Sequence, residues 1–442
     1  MKNLYIVAII VLFAFSCEKL PNTDSNLNSG NPAYQVSFLE NNKVADIKVK
    51  DAEGSAQDVE IKARIANPMD KDSYYLISID DNTIKEYNKK NGVDYELLPT
   101  ENYEMTYTYN GVSKTGTSFE IVVPKGQVVS AGKLSFKVKP MKDALGNDLP
   151  KSNNYAVAVR MAPVDNKVIQ QADKETSIFL IRRSFKTKVA KINGRAFHMI
   201  YGQDTRSQST GKSYAKDVKL EEWTMQYSIA LTELRNNWGL MYENPRNSTQ
   251  SKLWNTIQAN GKFLMRYGAS ATLVFNTAKG ESFNFKAAGS NPTADKWYHV
   301  TMTYKKVDGR PILNIYVNGE LMFDSPSPII VNDFPLVCFG NATTNGYIRE
   351  IRFWSKALTQ GQAAATQYFV KPDSDGLELY VPFDQQPWEE IDEMYEGSSM
   401  KKRVIKNAST NPNKKMPEKW YLHHNGSEFR YPTTSFDTEV EF

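Results

Sequence analysis

The segment Glu389-Glu-Ile-Asp-Glu-Met-Tyr-Glu396 gathers several carboxylates within eight residues. On a β-strand, residues i, i+2 and i+4 share a face, so a Glu-x-Asp-x-Glu pattern sends three carboxylates into one cleft. Retaining glycosidases draw a nucleophile and an acid/base from such a set. Here Glu390 and Asp392 fit the pattern, but position 394 is Met and the bulged alternative at 395 is Tyr. The acid/base half of the pair is missing, and the segment reads as a solvated acidic stretch beyond the close of the preceding strand-rich region.

Other catalytic patterns do not emerge. The four histidines are His198, His299, His423 and His424, and none stands in His-Glu-x-x-His. Cys17 and Cys338 differ in setting, so no zinc site is readable. There is no Gly-x-Ser-x-Gly elbow and no phosphate-cradling glycine loop. Asp324, Asp333 and Asn341 carry oxygens that could serve a structural calcium ion, although their spacing does not require one. No other cofactor is expected.

Binding chemistry is better represented. A sugar is held by flat rings against its C–H face and by planar amides, carboxylates or guanidinium groups on its hydroxyls. The richest such stretch runs from Asn236-Asn-Trp238 to Tyr242-Glu-Asn244-Pro-Arg246-Asn247, with Trp254 following. It shows no clean alternation and reads as loop, so its rings are less needed by a core. Tyr201 with Asp204, and Trp388, are further candidates. Trp223, Trp297 and Trp354 are assigned to packing.

The elements that must position these residues are mostly strands. Val59–Ile65, Leu134–Val138, Tyr155–Val159, Trp223–Ile229, Trp297–Tyr304 and Leu313–Val317 alternate apolar with polar residues, the mark of antiparallel strands with one buried face. Asn318-Gly319 is a type I′ hairpin signal. A single helix is predicted near Asn82–Asn91, with Asn82 as cap, Ile84, Tyr87 and Asn88 on one face, and a left-handed stop at Asn91-Gly92. The fold class is all-β. At 442 residues, two domains are expected.

Composition narrows the rest. The 40% apolar and 24% charged fractions are those of a globular protein. The net charge of +4 is diffuse and its basic clusters are short, which argues against nucleic acid as a partner. Lys2 precedes an apolar run from Leu4 to Phe15, too short to span a bilayer, and Ser16-Cys17 follows. That arrangement predicts a signal peptide over 1–16 and lipidation of Cys17, with the Asn-, Ser- and Pro-bearing stretch 17–32 as a tether. Cys338, in Pro-Leu-Val-Cys-Phe, reads as a buried thiol.

Two resemblances follow from specific strings. Tyr87-Asn-Lys-Lys-Asn-Gly-Val-Asp-Tyr95-Glu-Leu-Leu-Pro99, Ile121-Val-Val-Pro-Lys-Gly126 and Asn154-Tyr-Ala-Val-Ala-Val159 resemble an N-terminal β-sandwich domain of unknown function in Bacteroidetes-type surface lipoproteins. That domain also precedes some endoglycosidases and glycan-binding proteins of polysaccharide-utilisation loci. Trp223-Thr-Met-Gln-Tyr227, Trp297-Tyr-His-Val300, Ile315-Tyr-Val-Asn-Gly319, Gly346–Leu358 and Leu379–Asp384 resemble the laminin-G-like, concanavalin-A-like jelly roll. The resemblance implies a β-sandwich over 33–185 and a jelly roll over 186–442, with an extension from about 385. It further implies a lipid-anchored outer-membrane protein, facing outward, that captures oligosaccharide or polysaccharide for partner glycosidases and an importer without catalysis. A glycoside hydrolase or endoglycosidase accessory, and a protein-binding adhesion module, remain as alternatives, because this fold hosts all three.

Overall fold

The computed structural model describes residues 36–164, 169–171, 173–193, 197–200, 220–235, 237–243, 252–267, 271–274, 283–326, 336–339, 344–395, 398–415, 419–423 and 433–442. The chain divides into two compact units, the first comprising Met1–Tyr87, Tyr95–Leu149 and Asn154–Arg183, the second Asn88–Asp94, Pro150–Asn153 and Ser184–Phe442. Cys17 and the segment around it lie outside the described residues.

The first unit is built on period-two strands. In Ser73–Ile79, Ser73, Tyr75 and Ile77 are buried while Tyr74 and Leu76 are exposed. This strand lies in a seven-stranded sheet ordered Ser118–Val123, Ser73–Ile79, Tyr155–Pro163, Thr176–Ser184, Val44–Lys50 and Gly54–Ser55, with Glu96–Leu97 beside Tyr155–Pro163. A four-stranded sheet runs Val59–Ile61, Lys133–Val138, Tyr103–Tyr109, Val112–Gly116, and a three-stranded one holds Ile169–Gln170, Val36–Leu39 and Ala63–Ile65. Phe136 of the four-stranded sheet stacks on Phe179 of the seven-stranded one at 5.3 Å, so the two sheets share one apolar core.

The helix forms over Asp81–Asn91, with Ile84 buried, and ends at Gly92 in the left-handed region at φ +65°. Its cap is not Asn82. Asp80 accepts from the Asn82 backbone N–H at 3.3 Å and from Thr83 Oγ1 at 2.7 Å. A carboxylate two positions earlier satisfies a free N–H group of the first turn and carries the charge that this helix end favours.

The second unit is a sandwich of two antiparallel sheets. The eight-stranded sheet runs Glu320–Pro326, Arg310–Val317, Tyr298–Val307, Glu222–Leu231, Asn345–Trp354, Lys186–Asn193, Thr433–Glu441, with Leu377–Val381 beside Asn345–Trp354. The nine-stranded sheet runs Ala271–Val274, Phe263–Tyr267, Lys252–Ile257, Asn237–Glu243, Leu336–Phe339, Phe197–Ile200, Lys419–His423, Ser398–Lys406, Trp388–Tyr395. Between them lie Trp223, Met225, Tyr227, Ile229, Val300, Met302, Tyr304 and Phe353 from one sheet and Ile257, Phe263 and Ile405 from the other. Trp223 stacks on Tyr304 at 5.5 Å. Each such ring contributes roughly 1.5–3 kcal/mol by leaving water. Tyr227 donates its phenol proton to Asn255 Oδ1 at 2.7 Å, linking the sheets across the core.

The predicted Asn318-Gly319 turn is present, with both φ angles positive at 52° and 79°. A Cβ on Gly319 would stand 2.8 Å from the Ala364 Cβ, so glycine is needed for contact as well as for rotation. Ala364 belongs to a short helix, Gln360–Ala365, not foreseen in the sequence; Thr359 and Gln362 close a reciprocal capping box at its start.

The stretch from 385 is not an appended extension. Trp388–Tyr395, Ser398–Lys406 and Lys419–His423 complete the nine-stranded sheet, and Thr433–Glu441 pairs with Lys186–Asn193, so the last strand of the unit lies beside its first. Polar composition hid these strands because a sheet edge and a solvated face tolerate charge.

Candidate ligand-binding sites

The stretch expected to be loop around Trp238 and Trp254 is strand. Asn237–Glu243 and Lys252–Ile257 pair antiparallel, with a register shift between Trp238 and Met241. That bulge breaks the alternation, which is why no period was visible. Trp238 stands opposite Thr256, Tyr242 opposite Leu253 and Val337, and Trp254 opposite Met241 and Arg266. The backbone thus brings Trp238, Tyr242 and Trp254 to neighbouring strands; their side chains lie outside the described residues, as do Tyr201, Asp204, Asn244 and Arg246. The register also lines up residues that their sequence positions keep apart. Met241 pairs with Cys338, Cys338 with His198, and His198 with His423.

Trp388 is placed differently from expectation. It is half-buried, packs against the core of the second unit, and meets Phe436 edge-on at 6.2 Å. Arg403 covers its ring at 6.0 Å. Its surface is largely taken up by packing.

The acidic segment occupies the outermost strand of the nine-stranded sheet rather than a position beyond it. Glu389, Glu390 and Asp392 are exposed. Glu390 accepts from Arg403 Nε at 2.9 Å on the adjacent strand, where the two residues are direct cross-strand partners. For calcium, Asp324 is exposed on the Glu320–Pro326 strand, while Asp333 and Asn341 lie outside the described residues. Among the described residues no three His, Cys, Asp or Glu side chains gather as metal ligands.

The feature that sequence reasoning missed is on the eight-stranded sheet, on the side away from the shared core. Alternation puts Thr224, Gln226 and Ser228 there from one strand and His299, Thr301 and Thr303 from its neighbour, and all six are buried. Arg349, Glu350 and Arg352 join them, exposed by 3%, 1% and 0%. Glu350 sits at a bulge with φ +60°, between the residues that pair with Gln226 and Ser228. One Glu350 oxygen accepts from Arg349 Nη2 at 2.8 Å and the other from Arg352 Nη2. Two guanidinium groups therefore share one carboxylate. Arg352 also lies 5.5 Å from the Tyr380 ring, and burial first, then Glu350, pushes the Tyr380 phenol well up.

Gln226 organises the layer. Its Oε1 accepts from Trp354 Nε1 at 2.8 Å and Arg352 Nη1 at 3.3 Å. Its Nε2 is left to donate, to Thr366 Oγ1 at 2.9 Å and Thr301 Oγ1 at 3.1 Å, and it faces His299 Nε2 at 3.3 Å. An amide nitrogen offers no lone pair, so a proton on the ring nitrogen facing it would find no acceptor; the His299 proton sits on Nδ1 and goes to Ser228 Oγ at 2.7 Å. Burial, and then Arg352 and Arg349, hold His299 well below the usual histidine range, so it stays neutral. A histidine that donates to serine cannot draw off the serine proton, and Ser228–His299 is no nucleophilic pair. The Ser228 hydroxyl keeps its own proton to donate elsewhere.

That hydroxyl opens on a pocket of about 230 Å³ bounded by Trp297, His299, Asn318, Arg349, Gln367, Tyr368 and Phe442, with Asp295 at its wall. Asp295 is exposed, 3.5 Å from Lys296 Nζ, and the hydroxyl of Thr293 lowers its pKa.

Two family models match parts of the chain. Residues 29–168 match a family of N-terminal domains, and residues 241–364 match the laminin-G type of the concanavalin A-like lectin/glucanases superfamily. No curated protein matches the chain. A solved structure of a candidate carbohydrate-binding protein from Bacteroides ovatus is 17% identical, covering 91% of this chain and 99% of its own, with a TM-score of 0.42. A heptameric pentraxin from Limulus polyphemus is 13% identical over 51% of this chain and 97% of its own, at a TM-score of 0.30. The sialidase carbohydrate-binding module of Ruminococcus gnavus, solved with α2,6 sialyllactose, is 15% identical over 41% of this chain and 98% of its own, at 0.26. The chain thus joins an N-terminal β-sandwich domain to a laminin-G-type, concanavalin A-like domain.

Proposed function

We propose that the protein is a lipid-anchored outer-membrane lectin that captures oligosaccharide or polysaccharide for partner enzymes and an importer and does not cleave it. The superfamily of its second unit includes both lectins and glucanases, so the choice between them rests on side chains. The observation that carries the reading is the acidic strand. Glu390 and Asp392 stand in solvent at a sheet edge, Glu390 is neutralised by Arg403, and the third position is Met394. A glycosidic acid/base needs a raised pKa in a dry cleft, close to a second carboxylate. Glu390, exposed and paired with Arg403, stands in no such cleft.

Glycan contact is placed on the nine-stranded sheet, where Trp238, Tyr242 and Trp254 come to adjacent strands. One ring stacked on a sugar contributes about 1–2 kcal/mol through burial of its apolar face. Trp238→Ala or Trp254→Ala should therefore weaken binding roughly tenfold with the melting temperature unchanged. Titration calorimetry paired with thermal melts checks this; full affinity in both well-folded variants would move the site elsewhere. Anchoring rests on Cys17, which follows an apolar leader. Cys17→Ala should release the protein from the membrane fraction or leave it unprocessed, and unchanged retention would remove the anchor from this account.

A further inference from the structure

The pocket on the eight-stranded sheet lies on the other sheet from the Trp238 and Trp254 strands, and its chemistry differs from theirs. Arg349, a cation only 3% exposed, lines the pocket. All the hydrogen bonds that Arg349 makes among the described residues leave from Nη2, to Glu350 Oε1 at 2.8 Å and to the Tyr368 carbonyl at 3.0 Å. Its Nε and Nη1 carry N–H groups with no protein acceptor among those residues. Rings clamp its faces: Phe442, Phe185 and Phe369 lie 4.8, 5.2 and 5.5 Å from the guanidinium carbon. This fixes the fork in place, as bidentate recognition of a planar anion requires.

The local charge is unbalanced in the same sense. Arg349 and Arg352 share the single carboxylate of Glu350, and His299 beside them is neutral. Asp295 lines the pocket too, but it stands in water next to Lys296 and screens little at Arg349. Among the buried side chains Arg349, Arg352, Glu350 and His299 one cation is thus in excess, which favours an anion at Arg349. Around the fork are groups suited to hydroxyls: Ser228 Oγ with its free proton, and the Asn318 and Gln367 amides. Tyr368 and Phe442 supply ring surface. The volume of about 230 Å³ is below the ~300–1,000 Å³ of sites that enclose drug-sized ligands, and suits one sugar unit rather than a chain.

We propose that this pocket is a second ligand site, one that takes the carboxylate-bearing unit of an acidic sugar, with Arg349 on the carboxylate and Ser228, Asn318 and Gln367 on the hydroxyls. The site extends the lectin reading but does not rest on the Trp238 and Trp254 strands.

The test is calorimetric titration of the purified protein at neutral pH and low salt with glucuronic acid, its methyl ester, glucose and acetate. Glucuronic acid should bind at least tenfold more tightly than the ester or glucose, because only it offers Arg349 a charged acceptor. It should also exceed acetate, which lacks the hydroxyls. Gln367→Glu places a like charge on the pocket wall at a half-buried position and should abolish glucuronic acid binding. Ser228→Ala, a smaller change, should weaken it several-fold. Trp238→Ala should leave it unchanged. Equal binding of glucose and glucuronic acid, no glucuronic acid binding, acetate binding as tightly as the sugar, or full binding by Gln367→Glu would each overturn the proposal. Loss of glucuronic acid binding on Trp238→Ala would place the acid-sugar site on the other sheet.

Discussion

The two sides of the strand Glu222–Leu231 are equally buried and chemically opposite. Trp223, Met225, Tyr227 and Ile229 face the shared core, where rings and aliphatic chains pack without demanding particular partners. Thr224, Gln226 and Ser228 face away, and each is tied by hydrogen bonds to named groups. An apolar core tolerates exchange of one hydrophobe for another of similar volume, whereas a buried polar layer depends on particular donor–acceptor pairs. The difference separates what keeps the sandwich closed from what gives this chain a shaped, charged recess.

The sharpest way to break the comparison is to remove one member from each side. Trp223→Ala should cost about 3–5 kcal/mol by opening a cavity. Glu350→Ala should cost a similar ~3–5 kcal/mol although it deletes fewer apolar atoms, because two buried guanidinium groups lose their counter-charge. The two should part company in a second round. Trp223→Phe keeps most of the stability, while Glu350→Gln keeps the shape and still loses most of it. Denaturant unfolding measures all four, and a mild Glu350→Gln would show that the triad is not charge-coupled.

A smaller effect follows from His299. Its pKa in the folded protein lies well below the usual 6.5, so between those values the unfolded chain binds a proton that the folded one refuses. Stability is therefore fully present above about pH 6.5 and falls as pH drops toward the folded value. His299→Gln should flatten that part of the profile. The apolar side contributes no such slope, so an unchanged profile in the variant would assign the pH dependence to other groups.

Much of the architecture was legible because strand alternation is local. Tyr155–Val159 and Trp223–Ile229 announce themselves by period two, and Asn318-Gly319 announces its own turn; Val59–Ile65 alternates too, but it divides at Lys62 into strands of two different sheets, which alternation alone does not show. What could not be read depends on distant neighbours. Nothing in Thr433–Glu441 says that it pairs with Lys186–Asn193. Nothing in Ser398–Lys406 marks it as a strand, since its charges suit a solvated face. The same rule misled on Gln226, Ser228 and His299: polar residues alternating with apolar ones read as exposed. Here Thr366 supplies a partner to Gln226, and the Tyr368 carbonyl one to Arg349 beside it. The Arg349-Glu350-Ile351-Arg352 string lies within a stretch that resembles the jelly roll, but its bulge at Glu350, which turns two arginines onto one carboxylate, has no sequence signal beyond the run of charges.

The central claim is that a lectin-like fold here holds glycan and leaves it intact. Purified protein should be incubated with a panel of oligosaccharides, with bound ligand and newly formed reducing ends measured in the same samples. The account predicts saturable binding with reducing ends at the level of the protein-free control. Reducing ends that accumulate with protein and vanish in Glu390→Gln would contradict it, and would make the exposed acidic strand a catalytic one.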